Sequence, residues 1–121
     1  MTVSWSDDQR GRVEGAFTKH PLGDHRCADA AREVVVVARE VDVASRGRRI
    51  GPRLPGARYV LPREFAPNPF WTHHVTVAVA EHCVDGLTRS PGEPAATYLT
   101  RHFLRPELHV IEDVDLDRED L

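Results

Sequence analysis

Cysteine is scarce in this chain, with only Cys27 and Cys83 among 121 residues. One is expected on a helix and the other in a strand, so the pair does not make the dense framework of a disulfide-stapled secreted domain. Lysine is almost missing: Lys19 stands alone and arginine carries the rest of the positive charge, which reads as a trait of base composition rather than of function. A net charge of -3 gives no global case for nucleic-acid binding. No apolar run is long enough to span a bilayer. The opening Met1-Thr2-Val3-Ser4-Trp5-Ser6-Asp7-Asp8 lacks the basic region and apolar core of a secretory signal. The chain is therefore expected in the cytoplasm of the producing cell, or delivered elsewhere as part of a larger polypeptide. No internal repeat is present.

What remains is an ordinary globular composition, 40% hydrophobic and 29% charged, of a length that suits a single domain spanning residues 1–121. Asp7 or Asp8 is expected to cap a first helix running to about Phe17, and His20-Pro21-Leu22-Gly23 to turn the chain. Asp24 is expected to cap a second helix that places Cys27 in its first turn and carries Ala30, Ala31, Val34, Val35, Ala38 and Val41 on one apolar face. Val34-Val35-Val36-Val37 has strand-like composition, but the alanines and the charges at Arg32, Glu33, Arg39 and Glu40 favour a buried helix. Residues 45–56 read as a loop, and Arg46, Arg48, Arg49 and Arg53 make it the one basic patch, expected to be solvated. Residues 57–61 read as a short strand, and the proline-rich stretch 62–70 as irregular. Residues 71–80 read as a central strand, with Cys83-Val84 returning beside it across Glu81-His82. Residues 90–94 read as a turn, 95–104 as an amphipathic helix, 108–111 as a last strand, and 113–121 as an acidic, frayed tail. Helices and hairpin-linked strands in this order make an α+β fold, a small antiparallel sheet packed against a central helix that carries the cysteine.

The chemistry starts at Cys27. Free N–H groups and the dipole at a helix start favour a thiolate, and the same N–H groups can donate to an oxyanion. In the following strand, alternation puts His74, Thr76, Ala78 and Ala80 on one face and His73, Val75, Val77 and Val79 on the other. The small residues beside His74 leave room for a helix or a substrate, and the valines suit a core. His74 is thus favoured as a general base, with His73 the alternative one register away. Asp85, in Val84-Asp85-Gly86, comes back alongside the histidine strand and can orient the imidazole; its bland reading is a turn residue.

Two other readings compete. A zinc domain would use His74, His82 and Cys83, with His73 or Cys27 as further donors. No C-x-x-C pair or H-E-x-x-H helix is present, and adjacent strand residues point to opposite faces. The other is a non-enzymatic interaction module in which Cys27 is only packing.

These residues resemble the papain-fold toxin domains of bacterial polymorphic toxin systems. The resemblance runs from about Cys27 to Leu108. It rests on Cys27-Ala28-Asp29-Ala30-Ala31, the stretch Ala57-Arg58-Tyr59-Val60-Leu61, His74-Val75-Thr76-Val77-Ala78-Val79, Val84-Asp85, the turn Ser90-Pro91-Gly92 and the aromatic helix Ala96-Thr97-Tyr98-Leu99. It implies a papain-like cysteine hydrolase with a Cys27-His74-Asp85 site, no cofactor, a protein or peptide substrate, and a cognate immunity protein in the producing cell. Protease, deamidase and acyltransferase share the same acyl-enzyme and are not separated by these residues. The chain departs from the pattern at His73, and in lacking a glutamine shortly before Cys27. His20, Asn68 or a backbone N–H is left to complete an oxyanion hole.

Overall fold

The computed structural model describes residues 2–23, 26–65, 71–118 and 120–121. It shows a small α+β domain. Helices α1 (Asp7–Lys19) and α2 (Cys27–Val41) are followed by strands β1 (Arg46–Pro52), β2 (His74–Val79), β3 (His82–Val84) and β4 (Glu93–Pro94), a short helix α3 (Tyr98–His102) and strand β5 (His109–Asp113). All neighbouring strands are antiparallel, in the order β4-β3-β2-β1-β5. Among the described residues no helix is long and apolar enough to cross a membrane.

The sheet divides two apolar clusters. On one face Val75, Val77, Val79 and Val84 pack with Val13, Ala16 and Phe17 of α1 and Ala30, Ala31, Val34, Val35 and Ala38 of α2. On the other, Ile50 and Cys83 pack with Val60, Trp71, Tyr98 and Phe103. Strand alternation explains the split, because Val75 and Val77 point one way while His74 and Thr76 point the other. The valine face is the one that α2 covers. The run Val34–Val37 is helical despite its β-branching, since Val34, Val35 and Val37 are buried and only Val36 is exposed. Burying an amphipathic face outweighs a propensity cost of a few tenths of a kcal/mol per residue.

Several local expectations are corrected. Helix α1 is capped by Ser6, not Asp7 or Asp8, through a reciprocal pair with Gln9, and it runs on to Lys19. The expected Asp24 cap lies outside the described residues; Arg26 at the N-cap position of α2 makes no side-chain cap. The supposed loop 45–56 contains β1, which lies between β2 and β5 in the sheet and pairs with both. Two of its arginines are paired rather than free: Asp113 Oδ1 is 2.9 Å from Arg46 Nε and 3.1 Å from Arg48 Nε. Arg-Gly-Arg-Arg has no strand-like composition, and two flanking ladders override that preference.

Residues 57–61, read as a strand, join no ladder. Their backbone is served piecemeal: Val60 N donates to Trp71 O, and Leu61 N to His109 Nε2. The β2–β3 hairpin turns at Ala80-Glu81, one residue earlier than expected, with both residues at positive φ (47° and 63°). That geometry matches the twist of a two-residue hairpin, and Asp42 Oδ2 accepts from Ala80 N at 2.8 Å. The helix expected over 95–104 is limited to α3. The turn expected over 90–94 includes β4, and the last strand extends to Asp113.

The segment expected as a frayed tail carries Leu116 into the α1/α2 core, 7% exposed. Arg32 of α2 donates to Leu116 O and Arg118 O, each at 2.6 Å. Gly47 makes the approach feasible, because a Cβ there would meet Leu116 Cγ at 2.4 Å. Leu116→Ala is expected to lower unfolding stability by about 2–3 kcal/mol in urea titrations, the low end for deleting a buried leucine. A solvated tail would give a change below about 0.5 kcal/mol.

Candidate active site

Cys27 is the first residue of α2 and is half-buried. His74 is the first residue of β2 and is 1% exposed. Asp85 follows β3 and is 5% exposed. In the sheet register Asp85 comes next to Thr76, since Val84 pairs with Val77. Asp85, Thr76 and His74 therefore share a face. His74 Nε2 lies 3.2 Å from Asp85 Oδ2. The contact is off the best hydrogen-bond angle, because both ring nitrogens lack a well-aligned partner, so it acts first through charge. The Cys27 thiol couples to the same imidazole. The structure thus brings Cys27, His74 and Asp85 together.

Each ionisation follows from this placement. Burial alone would raise the Cys27 pKa, but the neighbouring His74 imidazole, with the N–H groups of Val75 and Ala28, outweighs it and holds the thiol below its ordinary value. Burial would depress the His74 imidazolium, yet the charge of Asp85, followed by Cys27, raises it well above the usual range. Burial would raise Asp85; the charge of His74, with donors from Thr76 and Tyr98, pulls it down. Thiol and imidazole are each biased toward their charged forms.

Asp85 is held from every side. Tyr98 OH donates to Oδ2 at 2.6 Å, and the N–H groups of Leu87 and Thr88 donate to Oδ1 at 2.8 and 3.1 Å. The turn-residue reading of Asp85 is correct too, because the same carboxylate caps its own turn. Trp71 stacks on His74 with ring centroids 4.8 Å apart and planes 10° apart, which fixes the imidazole plane. Tyr98 and Trp71 carry this support, whereas from sequence Tyr98 reads as part of an amphipathic helix and Trp71 as the start of a strand. Nothing local could have revealed the role of Tyr98, since it is 13 residues from Asp85 and meets it across the fold.

His73 lines one cavity with Cys27, His74 and Asp85, but on the opposite strand face from His74 and Asp85. It is half-buried beside Thr72, and burial, then Arg49, lower its pKa. His20 is buried at the end of α1, its Nε2 against Glu33 and its Nδ1 without a partner among the described residues. It lines the same cavity as Cys27, His74 and Asp85. Asn68 lies outside the described residues.

The zinc set does not converge. Cys83 pairs with Ala78, four residues along β2 from His74, or about 13 Å of strand. His82 faces away from Cys83 and spends Nδ1 on Ala80 O at 2.6 Å. No group of three His, Cys, Asp or Glu side chains suited to a metal occurs among the described residues. Cys27 and Cys83 are both free thiols. No family model, curated protein or solved structure matches the chain.

Two outcomes follow from the electrostatics. Iodoacetamide should label Cys27 quickly at neutral pH, with the pH–rate inflection below the ordinary thiol value of about 8.5. Cys83, pushed up to about 12 by burial and Asp85, should stay unlabelled in the folded protein. In His74→Ala the imidazole's contribution is lost while burial and the N–H groups of Val75 and Ala28 remain, so the inflection should move up from its wild-type position, read by mass spectrometry across a pH series. Tyr98→Phe removes a buried donor to a charged acceptor and should cost about 1.5–3 kcal/mol in chemical denaturation.

Proposed function

We propose that this domain is a papain-like cysteine hydrolase acting on amide bonds, an effector or toxin domain of bacterial origin. The observation that carries the reading is the alignment of a thiol at a helix start, a buried imidazole and a buried carboxylate on one cavity. Their opposite ionisation biases favour a thiolate beside an imidazolium. A structural cysteine in a core is pushed the other way, as Cys83 is.

In this mechanism the Cys27 sulfur attacks the substrate carbonyl carbon, and the carbonyl π electrons move to oxygen. In this reading the N–H groups at the start of α2 stabilise that oxyanion, with His20 as a further candidate. As the tetrahedral centre collapses, the C–N bond breaks and His74 gives its proton to the leaving amine. A thioester remains. Water then attacks it, His74 takes a proton from the water, and the thiolate departs with the carboxylic acid released. With Asp85 at Nε2, Nδ1 is the nitrogen left to exchange the proton with sulfur. Asp85 keeps the ring oriented and stabilises its cationic form.

The substrate class is a protein or peptide amide. Hydrolysis makes the domain a protease or deamidase, and an amine acceptor in place of water makes it an acyltransferase. No cofactor is needed for this chemistry. The partner in the producing cell is a cognate immunity protein. The site of action is that cell's cytoplasm or, for a domain carried by a larger toxin, a target cell.

Expression in a bacterial host without any partner gene provides the test. The wild-type chain should arrest growth, and Cys27→Ala and His74→Ala should each abolish arrest while purifying as folded protein. The loss should be several orders of magnitude in any acyl-transfer assay, since such residues act as a unit. Asp85→Ala should be milder and His73→Ala close to wild type. Arrest that persists in a folded Cys27→Ala variant would sink the hydrolase reading and favour an interaction module.

A further inference from the structure

One face of α2 shapes the cavity beside the thiol. Cys27, Ala30, Ala31 and Val34 all line it, and their spacing i, i+3, i+4, i+7 puts them in one row along the helix. From Cys27 to Val34 the row rises about 10 Å. Cys27 at one end is half-buried, whereas Val34 at the other is fully buried and belongs to the core. The two alanines between them leave space that larger residues would fill. Phe17, Leu22, Val84 and Leu121 supply further apolar wall. Leu121 comes from the segment that Arg32 clamps onto α2 and packs on the same core.

The cavity measures about 260 Å³. An apolar cavity of about 150 Å³ already admits benzene, so this one has room for a single larger apolar group. It is far too small for a folded substrate, which must stay outside. His20, Arg26, Thr72, His73 and Asp120 also line the cavity, so a reactive thiol at one end and the apolar α2 row on one wall set what enters and which way round.

We propose that this cavity is the acyl-group subsite: the substrate seats an apolar group along the Cys27–Val34 row, with its carbonyl carbon at the Cys27 sulfur. This rests on the hydrolase reading. The apolar group is either a bulky aliphatic or aromatic side chain of a peptide or a hydrocarbon chain; both offer the same chemistry to the walls. Burial of each added methylene is worth about a fourfold gain until the row is full.

The probes are activated esters, with acylation of Cys27 followed by p-nitrophenol release and by mass, and with Cys27→Ala as background. One series runs p-nitrophenyl acetate, butyrate, hexanoate and octanoate. The other compares the p-nitrophenyl esters of N-acetylglycine, N-acetylleucine and N-acetylphenylalanine. The expected result is a rise of at least tenfold within one series. A rise in the amino-acyl series identifies a peptide side chain as the occupant, and a rise in the straight-chain series a hydrocarbon. Ala31→Phe, which fills the row, should collapse the hexanoate-to-acetate or leucine-to-glycine ratio toward one. Leu121→Trp narrows the cavity from the opposite wall and should do the same if Ala31→Phe does not fold. Flat rates in both series, or a ratio that survives both fillings, would overturn the subsite while leaving the hydrolase reading intact. If no ester acylates Cys27 although iodoacetamide still labels it, the hydrolase reading itself falls and the subsite falls with it.

Discussion

The contact between His74 and Asp85 is the constraint around which this domain is arranged. Both side chains are almost wholly out of water, and either charge alone in that environment would cost several kcal/mol. The arrangement is tolerable because Asp85 spends its remaining acceptor capacity on Tyr98 and two backbone N–H groups. Those donors come from α3 and from the turn after β3, so one carboxylate ties together three parts of the chain. Trp71 covers the imidazole and completes the enclosure. What this enclosure leaves open is the side of the ring toward α2, where the cysteine stands.

The two cysteines show how position sets reactivity within one chain. Cys83 is buried and Cys27 half-buried, and burial pushes both thiols up. Cys83 then meets the charge of Asp85, which pushes it further. Cys27 meets a cationic imidazole and the N–H groups of Val75 and Ala28. The difference lies in the sign of the neighbouring charge and in the backbone groups available, which is why a thiolate-dependent role fits one thiol and not the other.

The sheet and the C-terminal segment illustrate constraints that local composition does not carry. Strand β1 is built from arginines and glycines, residues that by themselves favour a loop. Its partners on both sides and Asp113 beside its arginines hold it in the ladder. Gly47 serves contact rather than flexibility, since its missing side chain is the space that Leu116 occupies. Through Leu116 and Arg32, residues 114–118 are laid along α2, and Leu121 reaches the cavity at Cys27.

The sequence by itself determined the parts with strong local signals. The apolar period of α2 put Cys27 at a helix start, the alternation after His74 separated a valine face from a His74 face, and the Asp85-Gly86 turn followed a strand end. These are legible because helix and strand periods are properties of neighbouring residues. Only the tertiary structure decided the rest. Strand β1 formed against its own composition, residues 57–61 failed to join the sheet, and the tail found a groove. Tyr98 reached Asp85 from α3. The reason is the same in each case: these outcomes depend on which backbone groups and side chains are left needing partners once the sheet and helices have packed, and that is a property of the whole fold.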